Sequence, residues 1–207
     1  MPLPSVDDRR SRKRARLLDH LAETAVRRFE RYGYQAVTME QIAAEADVSK
    51  GTLYNHFPSK EAVLAHWIHA QLEQDLSQLQ PEIAREASFA PALSLLLDAS
   101  ATWCEQHRDF LAPYLRFRLL SFESASGAED DADGNASSDL IDGFAWLIAR
   151  GQRAGELRDD IAPAHLASLF HHLYLGALMR WLTTADLDLR SEFAVVIKLF
   201  IDGAIRS

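Results

Sequence analysis

The apolar positions of this chain recur at spacings of three and four, the period of a helix with one buried face. Leu18, Leu21, Ala22, Ala25 and Phe29 form the first stripe and predict a helix from about Arg14 to Tyr32, with Gly33 as its C-terminal stop. Leu64, Trp67, Ile68 and Leu72 form another, on a helix that Ser59 caps after Pro58 and that runs from Lys60 onward. Later stripes are Leu93, Leu96, Leu97, Trp103 and Cys104, then Phe110, Tyr114, Phe117 or Arg118, and Phe122, then Leu140, Ile141, Phe144, Leu147 and Ile148, stopped near Gly151. Strand alternation is absent, so the predicted fold class is all-α.

Between the first two long stripes lie two short helices. Thr38 and Gln41 have the spacing of a capping box, which starts a helix whose Ile42, Ala43 and Ala46 share one face. Asp47-Val48-Ser49 reads as a turn, because Asp tolerates left-handed φ and Ser49 can cap the next helix. On that second helix Leu53 and Phe57 fall four apart and face the protein, leaving Lys50, Thr52, Tyr54, Asn55 and His56 outside. That set is rich in donors: Lys50 offers charge to phosphate, the Thr52 and Tyr54 hydroxyls serve phosphates or base edges, and Asn55 suits an adenine edge. Gly51 leaves room for a phosphate, and Lys60 stands at a helix N-terminus where it can meet one. Two helices joined this way make a helix-turn-helix, whose second member enters the major groove.

The segments Gly33-Tyr34, Thr38-Met39, Ile42-Ala43, Val48 through Phe57 and Ser59-Lys60-Glu61 resemble the N-terminal domain of the tetracycline-repressor (TetR) family, without gaps over residues 13–64. Asp47 departs from the family pattern, which usually has Gly there, and this implies a slightly strained turn. Beyond residue 70 only the layout is similar. The resemblance implies a three-helix DNA-binding domain at 13–64 and a helical effector-binding and dimerisation domain at 65–207, and the basic residues that precede them read as an N-terminal arm at 1–12. It implies a one-component regulator, a repressor by the family's usual sign, that binds a palindromic operator as a homodimer and is released by a small molecule. The DNA-contacting set is then Thr38, Ser49, Lys50, Gly51, Thr52, Tyr54, Asn55, His56 and Lys60.

Charge distribution fits this reading although the net charge is −8. Residues 1–60 carry 11 Lys and Arg against 8 Asp and Glu, while the remainder carries 11 against 22. Six of the eight residues from Arg9 to Arg16 are basic, a run that can lie along phosphates, enter the adjacent minor groove or serve as a solubilising disordered tail. The composition, 48% apolar and 25% charged over 207 residues, is that of an ordinary globular protein. The single Cys104 excludes an internal disulfide framework and reads as a buried, inert thiol. With no signal-type segment and no apolar run near the roughly 20 residues of a membrane span, the expected location is the cytoplasm.

Toward the C-terminus a glycine-bounded turn, Gly151 to Leu157, precedes two long apolar stripes. The first holds Leu166, Leu169, Phe170, Leu173, Tyr174, Ala177, Leu178, Trp181 and Leu182, and the second Phe193, Val196, Ile197, Phe200 and Ala204. They suit a four-helix dimer seam or the core of one monomer. The resemblance favours the seam and assigns to it Leu166, Leu169, Phe170, Leu173, Ala177, Trp181, Phe193, Val196, Ile197 and Phe200. Trp103, His107, Phe110, Tyr114, Phe117, Phe144, His171 and Tyr174 are of the kind that line a ligand cavity and suit an apolar or aromatic effector, though they equally make a core.

Other chemistries have less support. His66, His69 and Glu73 share a helix face with metal-ligand spacing but read as solvated surface. The acidic segment 129–139 fails as a calcium loop, because Leu140 stands where a bidentate Glu is required, and reads as a loop. The alternative is an all-α metal- or ligand-binding protein or enzyme, using His165 and His172 or Cys104 and His107. It lacks a phosphate loop, a zinc motif and a nucleophile elbow, so no catalytic residue, metal or cofactor is expected.

Overall fold

The computed structural model describes residues 6–124 and 135–204, with side chains described from 12 to 118 and from 140 to 204. The described residues form nine α-helices: α1 Val6–Tyr32, α2 Met39–Glu45, α3 Lys50–His56, α4 Lys60–Arg85, α5 Phe89–Gln106, α6 Arg108–Ser124, α7 Asn135–Arg153, α8 Pro163–Thr183 and α9 Leu189–Ala204. A 3-10 turn at Tyr34–Ala36 joins α1 to α2. Helix α1 begins eight residues before the predicted start, so the basic run from Arg9 to Arg16 continues a helix instead of forming a separate arm. Arg and Lys are good helix formers, which removes any sequence-level barrier to that extension. The residues 129–134 of the acidic segment lie outside the described residues, and 135–139 form the first turns of α7.

The chain divides into two compact units, residues 1–71 with 109–133, and residues 72–108 with 134–207. This differs from a boundary at 64/65, because α6 packs with α1 and the first half of α4: Phe110 meets Phe29 at 6.2 Å and Trp67 at 6.1 Å edge-on. In this first unit Leu21, Ala25, Phe29, Ile42, Leu53 and Leu64 are buried. Gly33 stops α1 with φ +83°, its amide bonded to the Phe29 carbonyl at 2.8 Å. Helix α4 is shared by both units, changing from one to the other at Gln71 and Leu72.

In the second unit α8 packs against α7 and α9, and α5 against α7 and α9. Phe170 is its aromatic hub, with Phe144 at 4.8 Å and Phe200 at 4.9 Å. At Gly151 α7 lies tight against Leu157 and Phe89: a Cβ there would sit 3.1 Å from both. Cys104 is buried as expected, and desolvation pushes its thiol up to about 11, leaving it a weak nucleophile.

His66 and His69 are not solvated surface. His66 Nε2 lies 3.0 Å from Asp19 Oδ1, and His69 Nε2 lies 3.2 Å from the Tyr114 hydroxyl. Burial, with smaller contributions from Arg118 and His66, lowers the His69 pKa to about 4. Since the unfolded imidazole titrates near 6.5, acid protonates the unfolded chain first, and stability falls between about pH 6.5 and 4. We expect His69→Gln to remove about 1 kcal/mol per pH unit of this acid-side loss, measured as the difference in urea unfolding between pH 7 and pH 5. An unchanged pH slope in the variant would reject His69 as its source.

Candidate nucleic-acid interface and ligand cavity

The unit of α2, turn and α3 is built by three local devices. The Thr38 side chain accepts from the Gln41 amide at 3.3 Å while the Gln41 side chain accepts from the Thr38 amide at 3.0 Å, a complete capping box. Asp47 takes φ +54°, and the Val48 amide donates to the Ala43 carbonyl at 3.0 Å, folding the chain back across the end of α2. Ser49 Oγ then accepts from the Thr52 amide at 3.0 Å and lies 2.8 Å from the Thr52 hydroxyl. Thr38, Ser49 and Thr52 therefore hold the reader's shape through the side-chain atoms expected to meet DNA.

Leu53 and Phe57 are buried beneath α3, and Lys50, Gly51, Tyr54 and Asn55 are exposed, with His56 half-buried. Lys50 forms an ion pair with Glu40 of α2, which holds Glu40 below and Lys50 above their ordinary pKa values, and its ammonium lies 5.6 Å from the Tyr54 ring centre. Sequence spacing does not reveal Glu40, since nothing linear brings position 40 beside position 50 before the turn is formed. Lys60 is also engaged, donating to the Tyr34 carbonyl at 3.0 Å with its ammonium 4.7 Å from that ring, while the Tyr34 hydroxyl donates to Glu61 at 2.8 Å. These bonds tie the start of α4 to the turn after α1.

Gly51 separates structure from binding. A Cβ at this position would meet only Ser49 Oγ, at 3.8 Å, so the free protein has room for one. We expect Gly51→Ala to raise stability slightly, because Ala is favoured over Gly within a helix by about 1 kcal/mol, and to weaken DNA binding if a phosphate approaches this backbone. Thermal melts and operator titrations on the same variant test both arms, and a variant that binds as well as the parent would exclude close phosphate approach there.

Two adjoining cavities lie in the second unit. The larger, about 300 Å³, is walled by Leu72, Asp75, Leu76, Gln78, Leu79 and Glu82 of α4, by Leu96, Ala99, Ser100 and Trp103 of α5, and by Leu140 of α7. A second, about 270 Å³, shares Leu76 and Leu96 and adds Glu73, Asp142 and Trp146. Such volumes match the lower end of small-molecule sites.

Of the eight aromatic and polar residues expected to line a pocket, Trp103 does, and His107 stacks against it with ring centres 4.4 Å apart. The others are placed elsewhere. Phe110, Tyr114 and Phe117 belong to α6 in the first unit. Phe144, His171 and Tyr174 are core: Tyr174 stacks on Phe193 at 5.2 Å and its hydroxyl lies 2.8 Å from Ser100 Oγ. Large rings fill space well, so they were drawn into the core while leucines and short polar groups were left around the void. The available signal was on α4, where Leu72, Leu76 and Leu79 continue the apolar stripe beside Asp75, Gln78 and Glu82.

The seam assigned to α8 and α9 also needs correction. Leu166, Phe170, Ala177, Trp181, Phe193, Val196 and Phe200 are buried within the chain, at most 8% exposed, and Ile197 is half-buried. Their neighbours on the opposite edge carry the exposed apolar surface: Leu169, Leu173 and Met179 on α8, Val195 and Leu199 on α9, the last 61% exposed. Only Leu169 and Leu173 of the expected set remain on it.

Among the described residues no group of three or more His, Cys, Asp or Glu is placed to hold a metal ion, and no helix is long and apolar enough to cross a membrane. Residues 21–66 match the family described as bacterial regulatory proteins, tetR family. The chain is 30% identical over 188 residues to the HTH-type transcriptional repressor KstR of Mycolicibacterium smegmatis, covering 88% of this chain and 85% of that protein. It is 27% identical over 191 residues to the HTH-type transcriptional repressor DhaR of a Mycobacterium species, covering 86% and 88%. The crystal structure of Thermus thermophilus FadR, a TetR-family transcriptional repressor in complex with lauroyl-CoA, matches with a TM-score of 0.73 at 26% identity, covering 92% of this chain and 96% of that one.

Proposed function

Because the chain belongs to the TetR family of bacterial transcriptional regulators, we propose that it is a repressor that binds a palindromic operator as a homodimer and is released by a small molecule. The observation that carries the DNA half is the reader itself, two capped helices about an Asp47 turn with Lys50, Gly51, Tyr54 and Asn55 exposed on the second. Repressors among the relatives support the sign, and the acyl-CoA complex of T. thermophilus FadR supports a ligand-responsive second unit.

Dimerisation uses the exposed edge of α8 and α9, where Leu169, Leu173, Met179, Val195 and Leu199 form an apolar face that a second copy covers. Helix α4 couples the two activities. Its residues from Leu72 onward wall the cavities, and its first turn, with Lys60 and Glu61, is bonded to Tyr34 beside the reader. An effector with different affinities for two positions of α4 shifts the population between DNA-competent and released states.

The test is titration of the purified protein onto DNA from upstream of its own gene, with scrambled competitor and a salt series. Tight, competitor-resistant binding at two protomers per site, weakening steeply with salt, is the expected result. Binding that is weak and indifferent to sequence would remove the operator reading at that DNA.

A further inference from the structure

The larger cavity carries a charge pattern that narrows the ligand. Five leucines, Leu72, Leu76, Leu79, Leu96 and Leu140, offer an apolar bed that favours a hydrocarbon body over water. Among the described lining residues the charged groups are Asp75 and Glu82, two turns apart on one face of α4, and no Lys, Arg or His is present. Partial desolvation holds the Asp75 carboxyl above its usual range, against the opposing pull of His107 beside Trp103. Trp103 adds an aromatic surface of the kind that attracts organic cations.

We propose that the effector is an organic cation with an apolar body, a hydrophobic amine or quaternary ammonium, held with its hydrocarbon among the leucines and its charge near Asp75, Glu82 and Trp103. This rests on the ligand-responsive reading above. An acyl-CoA, with its phosphates, brings like charge to a cavity already carrying two carboxylates. The second cavity is also lined by two carboxylates, Glu73 and Asp142, beside Trp146.

Three probes of equal chain length decide the matter: octyltrimethylammonium, octanol and octanoyl-CoA, each titrated calorimetrically into the full chain and into D75N/E82Q, with operator release measured in parallel. The ammonium binds about tenfold or more tighter than octanol, and the double substitution removes that advantage while octanol stays within about twofold, which also shows the variant is folded. Tightest binding by octanoyl-CoA, or an ammonium affinity indifferent to the substitutions, overturns the proposal. Operator release by octanoyl-CoA would do so while preserving the ligand-responsive reading. Bound probes that all leave the operator occupied strike that reading instead, and the calorimetric order still decides the ligand class.

Discussion

Replacing Leu173 by Glu yields a folded monomer whose operator affinity falls by about 10² to 10⁴-fold. Leu173 is 41% exposed at the edge of α8, one turn from Leu169, so the change leaves the buried Phe170 and Tyr174 contacts in place. In a two-fold assembly the same position occurs on both partners, and each interface then contains two new carboxylates to be desolvated without counter-charges. Once the protomers separate, each reader holds one half-site alone and loses the gain of linked binding, which is the source of the magnitude. Sedimentation equilibrium reads the assembly, circular dichroism the fold and a gel shift the affinity. A Leu173→Glu protein that remains dimeric removes the α8–α9 edge as the interface, whereas Phe170→Glu would report only on the core.

The same pair of helices shows where sequence information ends. Both α8 and α9 are apolar around much of their circumference, and period alone cannot say which edge packs inside and which awaits a partner. Spacing therefore places the helices and leaves seam and core open, while the family resemblance assigns the dimer face to Leu166, Phe170 and Trp181, which their own chain buries. The cavity was hidden for a related reason. A void is defined by the shapes that fail to meet, not by the residues with the most suggestive side chains, so Phe144 and Tyr174 went to the core and the leucines of α4 were left at the wall.

The reader was legible because its determinants are local. Thr38 with Gln41, Asp47 at positive φ, Ser49 with Thr52, and the Leu53 and Phe57 pair all act within four residues, and each is found in the geometry its spacing implies. Its electrostatics were not legible, because Glu40 and Lys50 are joined only after the turn has formed. That pair bears on the operator contact proposed above: the free reader holds Lys50 against an internal anion, which a phosphate meeting Lys50 would have to displace. Tyr34 is the second long-range element, buried between α1 and α4, where desolvation and its bond to Glu61 push the phenol up.

Replacing Tyr54 by Ala weakens operator binding by about a hundredfold or more and leaves the dimer intact. Tyr54 is exposed on α3, beyond the buried Leu53, so its ring supports no core. In the free protein its ring centre lies 5.6 Å from the Lys50 ammonium, an exposed pairing whose removal costs little stability. A contact to a base edge or phosphate in this position contributes about 1 to 3 kcal/mol per half-site, and the two-fold operator counts it twice. Lys50→Ala has a smaller effect of a different kind. It lowers affinity on all sequences and reduces the salt slope by about 1 for each phosphate left without its counter-charge, a deficit partly offset because Glu40 no longer has to be displaced. Comparing the two variants on operator and scrambled DNA separates reading from charge: Tyr54→Ala narrows the gap between the two DNAs, while Lys50→Ala shifts both together. Equal weakening by Tyr54→Ala on both DNAs would make this residue a backbone contact, and unchanged binding on either would place the operator on another surface.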